Sequence, residues 1–155
     1  QNEEEAVAAY DEIMANVART NPGKKTDGIL VQEMAASGVE IIIGVTNDKQ
    51  FGPMLLVGLG GIYVEVFKDA ALYPVPLNKG EAMNMLKSLK SYKMLTGYRG
   101  SAPCDLDALT DMMVKIANYA YEHKDEIKEM DLNPVFVYPE GQGVCAVDAL
   151  IVKYK

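Results

Sequence analysis

The sequence predicts an α+β domain, a sheet with helices packed on one of its faces. Two observations carry this. Apolar residues recur at helical spacing in three segments, and β-branched runs bounded by Gly, Asn, Asp or Pro stand between and after them. The strands cluster first, helices follow, and a strand pair closes the chain, the order of an α+β fold. Of 155 residues 49% are apolar and 24% charged, which is ordinary for a globular domain with a real core.

Asn2 followed by Glu5 has capping-box spacing, and Ala6, Tyr10, Ile13, Met14 and Val17 then recur on one helical face. Asn21-Pro22-Gly23 should stop this helix. Ile29-Leu30-Val31-Gln32 reads as a short strand leading into Glu33 and Met34. After Ser37-Gly38, Val39 to Thr46 reads as a buried strand ending in an Asn47-Asp48 turn. Met54 to Val57 and Ile62 to Phe67 read as two more strands joined by Gly58-Leu59-Gly60-Gly61. Asn78, with Glu81 three residues on, caps a second helix whose apolar face is Ala82, Met85, Leu86 and Leu89. A third helix follows Pro103, turns Leu106, Leu109, Met113, Ile116, Ala117 and Ala120 inward, and ends near His123. Two strands finish the chain, one ending in Asn133-Pro134-Val135-Phe136-Val137-Tyr138 and one spanning Val144 to Val152. Pro139 to Gly143 makes the turn between them.

The net charge of −7 comes without a basic stripe, so a nucleic-acid partner is not expected. Apolar runs such as Val39 to Val45 are far shorter than the roughly 20 residues that span a bilayer, and no signal peptide is evident, so no membrane role is expected. Cys104 and Cys145 lack Cys-x-x-Cys spacing, which argues against zinc and against a disulfide-stapled secreted domain. They read as reduced thiols of a cytoplasmic protein, with one disulfide between them left open. The chain lacks an initiator Met and reads as part of a longer protein.

Function enters through motifs. Gln32-Glu33-Met34-Ala35-Ala36-Ser37-Gly38-Val39-Glu40 resembles the hinge of ATP-grasp enzymes, with the Glu33-to-Glu40 spacing of D-alanine–D-alanine ligases. A strand edge offers adenine one backbone donor and one acceptor, and a carboxylate can accept from both ribose hydroxyls. Glu129-Met130-Asp131-Leu132-Asn133-Pro134 with Val144-Cys145-Ala146-Val147-Asp148 resembles the metal-binding hairpin of the succinyl-CoA synthetase β subunit. Phe51-Gly52-Pro53, Gly58 to Glu65, Gly97-Tyr98-Arg99-Gly100 and Pro103 resemble, in order, segments of ADP-forming acetyl-CoA synthetase β subunits and their fused relatives. The resemblance covers essentially the whole chain.

It implies the large, C-terminal lobe of an ATP-grasp domain, with a mainly antiparallel sheet. Residues 1–28 would be the last helix of the small lobe and a linker, and 29–155 the hinge strand and large lobe. It also implies ATP or ADP as substrate and Mg2+ held by Asn133 and Asp148, with Asp131 or Glu129 in support. Glu33, Met34 and Ala36 would line the adenine slot, Glu40 would hold the ribose, and Arg99 would reach phosphate. An Asp set between Val-Cys-Ala-Val and Ala-Leu-Ile-Val should be costly to bury unless paired, which favours the metal role for Asp148. Arg99 reads nearly as well as an exposed loop residue, and Glu65 as a surface one. His123 reads as a solvated surface residue. The partner implied is a CoA-binding domain or α subunit carrying a phosphohistidine, in an acid–thiol ligase. A non-catalytic regulatory module linked to an acetyltransferase, or a carboxylate–amine ligase, are the competing readings.

Overall fold

The computed structural model describes residues 2–61 and 68–155, and the chain divides between Met34 and Ala35 into two units. The strand expected over Ile62–Phe67, and Glu65 with it, lie outside the described residues.

The first unit is built on α1 (Glu3–Thr20). Asn2 Oδ1 accepts the Glu5 N–H at 2.9 Å, and at the other end the Asn21 N–H donates to the Val17 carbonyl. Glu3, Glu4 and Glu5 stand in the first turn and Arg19 in the last, as the helix dipole favours. The expected strand over Ile29–Gln32 does not form. That segment is irregular, and Leu30 and Val31 are exposed. A strand needs a neighbour to satisfy its backbone groups, and none of the described strands pairs with it.

The second unit is a sheet with its helices. Its elements are β1 (Val39–Asp48), β2 (Gly52–Leu59), β3 (Ala70–Pro74), α2 (Lys79–Ser88), a 3-10 turn (Lys90–Met94), α3 (Leu106–Glu122), β4 (Ile127–Val137), β5 (Val144–Ala146) and β6 (Ala149–Lys153). The strand order is β3-β2-β1-β4-β5, with β6 also paired to β4, and every pairing is antiparallel. Asn47 and Asp48 continue β1 instead of turning, because they pair with Pro53 and Gly52 of β2. The Asp48 carboxylate then accepts the N–H groups of Gln50 and Phe51 and so closes the turn itself.

β1 is buried on one face only. Ile41, Ile43 and Val45 point into the core, and Glu40 and Thr46 are exposed on alternate positions. Leu55 and Val57 of β2 and Val135 and Val137 of β4 join the same core layer. Against it pack Ala82, Met85 and Leu86 of α2 and Leu109, Met113, Ile116, Ala117 and Ala120 of α3, as the helical periodicity predicts. Thr110 is fully buried in α3, and its hydroxyl donates to the Leu106 and Asp107 carbonyls.

The capping box at Asn78 is present in both directions. Asn78 Oδ1 accepts the Glu81 N–H at 3.0 Å, and Glu81 accepts the Asn78 N–H at 2.7 Å. The 3-10 turn, which periodicity does not reveal, is held by the buried Asp69. Its carboxylate accepts the Lys90 and Ser91 N–H groups and the Ser91 hydroxyl. Both cysteines are free.

Candidate functional site

β1 and β4 lie side by side in the sheet, and their register slips between Ile41 and Ile43. Ile41 faces Val135 and Ile43 faces Leu132, so Asn133 and Pro134 together stand opposite Ile42 alone. This is a β-bulge, and Pro134 has no N–H to give to a ladder. The far side of β4 opens at the same level. β5 ends at Ala146 opposite Val135, and β6 begins at Ala149 opposite Leu132. Val147 and Asp148 fill the gap, the Asn133 N–H donating to the Asp148 carbonyl at 3.2 Å and the Val147 N–H to the Pro134 carbonyl at 3.0 Å. The single strand expected over Val144–Val152 is therefore two. Asp148 Oδ1 accepts the Ala149 N–H, a local bond that replaces ladder geometry at the break.

Asn133 and Asp148 thus meet as a backbone pair at the irregularity. Both are exposed, so the expectation that Asp148 must be buried and paired is not met. Being at the chain's break, it escapes the apolar surroundings that its neighbours in sequence suggest.

Glu129 and Asp131 alternate with the buried Met130, which turns them to the sheet face away from the helices. A concavity of about 260 Å3 opens there, lined by Ile42, Gly44, Thr46, Leu56, Glu129 and Asp131 among others. Gly44 faces Leu56 on one side and Asp131 on the other, and its missing side chain leaves room between them. Gly44 and Thr46 were missed by reading β1 as wholly buried. Their parity against Ile41, Ile43 and Val45 is the signal that finds them.

Among the described residues no three His, Cys, Asp or Glu side chains converge as a metal cage. The chemistry of the Asn133–Asp148 pair still fits magnesium. It offers hard oxygen ligands in small number, and magnesium keeps its remaining positions for water and phosphate oxygens.

Glu40, on β1 opposite Phe136, is exposed. Its carbonyl accepts the Gly60 N–H at 2.7 Å, and a Cβ built on Gly60 would come within 2.9 Å of the Glu40 Cβ. The glycine stretch, by default a mere hairpin turn, therefore lies against Glu40, and only a glycine allows that approach. Glu33 and Met34 close the first unit in irregular backbone, with Met34 92% exposed, and Ala36 and Glu40 begin the second.

Arg99 sits in an exposed loop with φ at 52°, between Gly97 and Gly100, which also have positive φ. Its guanidinium lies 5.3 Å from the centroid of the Tyr98 ring. The loop's end is tied to the tip of the β4–β5 hairpin, where Pro103 O accepts the Glu140 N–H at 3.0 Å. No described hydrogen bond or ion pair links Arg99 to Asn133 or Asp148. His123 caps the end of α3, half exposed, with Nδ1 3.7 Å from Glu126.

The ATP-grasp domain family matches residues 1–152. The β subunit of acetate–CoA ligase (ADP-forming) II from Pyrococcus furiosus is 43% identical over 149 residues, covering 96% of this chain and 63% of its own length. The β subunit of the same organism's ligase I is 40% identical, over 98% of this chain and 64% of its own. Among solved structures, Ca. Korarchaeum cryptofilum dinucleotide-forming acetyl-coenzyme A synthetase 1, in complex with coenzyme A and Mg-AMPPCP, superposes with a TM-score of 0.85 at 43% identity. The match covers 99% of this chain and 65% of that one, whose phosphohistidine segment points towards the nucleotide binding site. The chain thus spans a little under two thirds of these relatives. No helix among the described residues is long and apolar enough to cross a membrane.

Proposed function

The chain belongs to the ATP-grasp domain family, and from that premise we propose that it is the nucleotide- and metal-binding part of an ADP-forming acyl-CoA synthetase. The overall reaction would convert acid, CoA and ATP to acyl-CoA, ADP and phosphate. The observation that carries the reading is the Asn133–Asp148 pair, set face to face where the β4 bulge interrupts the sheet. Bulges re-aim side chains beside active sites, and here two residues with oxygen-bearing side chains are joined through their backbones, Asn133 at the bulge of β4 and Asp148 in the gap between β5 and β6.

Asn133 and Asp148 would hold Mg2+, with Asp131 in support on the same face of β4. The ion would neutralise charge on the γ-phosphoryl group as it transfers. Glu40 would accept from the ribose hydroxyls, with Gly60 backed against it so that nothing fills the space. Glu33, Met34 and Ala36 would line the adenine slot, and Arg99 would engage a phosphoryl group arriving at its loop. Residues 1–28 would be the last helix of the small lobe and linker, and 29–155 the large lobe. The acyl and CoA chemistry would belong to a CoA-binding domain or subunit bearing the phosphohistidine, in a cytoplasmic enzyme.

The test is substitution in the full-length protein. Asn133→Ala and Asp148→Ala should each lower phosphoryl transfer from ATP by about 100-fold or more, the scale of losing one preorganised electrostatic contact. Circular dichroism and melting temperature should stay near the parent's, since both residues are exposed. Normal turnover in the Asp148 variant at limiting magnesium would remove it from the metal site.

A further inference from the structure

Asp105 has a task that its place in the sequence does not announce. It is the N-cap of α3, and Oδ1 accepts the Ala108 N–H at 3.0 Å. A cap needs one oxygen, and Ser, Thr or Asn would serve as well as Asp. The residue is 7% exposed, where a carboxylate is costly unless its charge is used. Its second oxygen is used at long range, Oδ2 accepting the Gly143 N–H at 2.9 Å.

Gly143 is the last residue of the turn before β5. The same tip is bound twice more to the segment leading into α3. The Asp105 N–H donates to Tyr138 O at 2.8 Å, and Pro103 O accepts from Glu140. From Gly143 the chain runs through β5, which is only Val144–Ala146, and then leaves the ladder at Val147 and Asp148. Asp148 is thus held by the short β5 and its clamped tip on one side and by β6 on the other.

We propose that Asp105 is a positioning residue for the Asn133–Asp148 pair, acting through its bond to Gly143. This rests on the metal reading of that pair. The N–H groups of Ala108 and Gly143 hold the Asp105 carboxyl below its ordinary range, as a clamp working in its ionised form requires.

Asp105→Asn separates the two tasks. Asparagine caps a helix as well as aspartate, so the fold should persist, less stable by what the ionised carboxyl draws from the Gly143 N–H. Its amide has a single oxygen, so one of the two N–H bonds is lost, and the cap, being local, keeps it. The Gly143 amide should then exchange with deuterium faster than in the parent, while the Ala108 amide does not. In the full-length protein, calorimetric titration of Mg2+ at fixed AMPPCP should give an apparent dissociation constant raised roughly tenfold, the low end for partners that orient metal ligands. AMPPCP affinity without metal should be unchanged. Unchanged magnesium affinity, with Gly143 exchange accelerated, overturns the proposal. Asp148→Ala serves as the control. If it also leaves magnesium affinity unchanged, the metal reading itself falls, and the role of Asp105 falls with it.

Discussion

At Glu40 the backbone is bonded and the side chain is exposed. The carbonyl takes the Gly60 N–H, and the Cβ lies where no side chain on residue 60 would fit. Glu40→Gln should therefore weaken ATP binding roughly tenfold, the scale of a charge-assisted hydrogen bond. It should barely change binding of an analogue lacking both ribose hydroxyls, and equal losses for the two ligands would give Glu40 another role. Gly60→Ala should act on the same contact from the other side. A 2.9 Å approach to another Cβ forces β1 or the turn at residue 60 to move, so nucleotide affinity should fall with Glu40 itself intact. Isothermal titration of the variant checks this, and parent-like affinity would mean that the close approach is not needed. The Glu33-to-Glu40 spacing is readable in the sequence because it is a distance along one chain. The Gly60 contact is not, because it depends on β2 returning beside β1.

The elements that the sequence specifies best carry their own signals. α2 announces itself by periodicity and by its cap at Asn78, α3 by periodicity after Pro103, and both form as expected. Asn78→Ala should cost about 1 kcal/mol by denaturant melting, since it removes one half of a reciprocal cap. Leu109→Ala, at a fully buried position of α3, should cost about 2–5 kcal/mol by the same measurement. Strand boundaries were less legible. The run Ile29–Gln32 has strand composition but no partner, and Val144–Val152 is continuous in composition yet broken in space. The break follows from the extra residue on β4 at Asn133-Pro134, a register event that belongs to two strands at once. β3 and the 3-10 turn were missed for a related reason. One is a short edge strand, and the other is held by Asp69 from 21 residues away.

Across the whole molecule, buried carboxylates tie layers together and make stability depend on acid. Burial pushes the Asp69 carboxyl up, but the Ser91 hydroxyl, the Lys90 and Ser91 N–H groups and the Lys90 charge outweigh it, so it sits below the ordinary 3.8. Asp105 is lowered by the Ala108 and Gly143 N–H groups. A carboxylate depressed on folding contributes its full stability above its unfolded value and loses it as pH falls through the folded value. Denaturant melts should therefore be flat in these contributions above about pH 5 and weaken below 3.8. Asp69→Asn should shallow that acid slope, and an unaltered slope would show that Asp69 is not depressed. The sheet's two faces divide the labour, one covered by α2 and α3 and the other carrying Glu129 and Asp131 in its concavity. On the proposed reading the metal has one place on the molecule, beside Asn133 and Asp148. Paramagnetic Mn2+ added to the 15N-labelled full-length protein with AMPPCP tests this most directly. The amide signals of Asn133, Asp148 and Asp131 should broaden first, with those of Asp107 and Asp111, the carboxylates around Lys79, still sharp. Early broadening at Asp107 and Asp111 with Asn133 and Asp148 unaffected would contradict it.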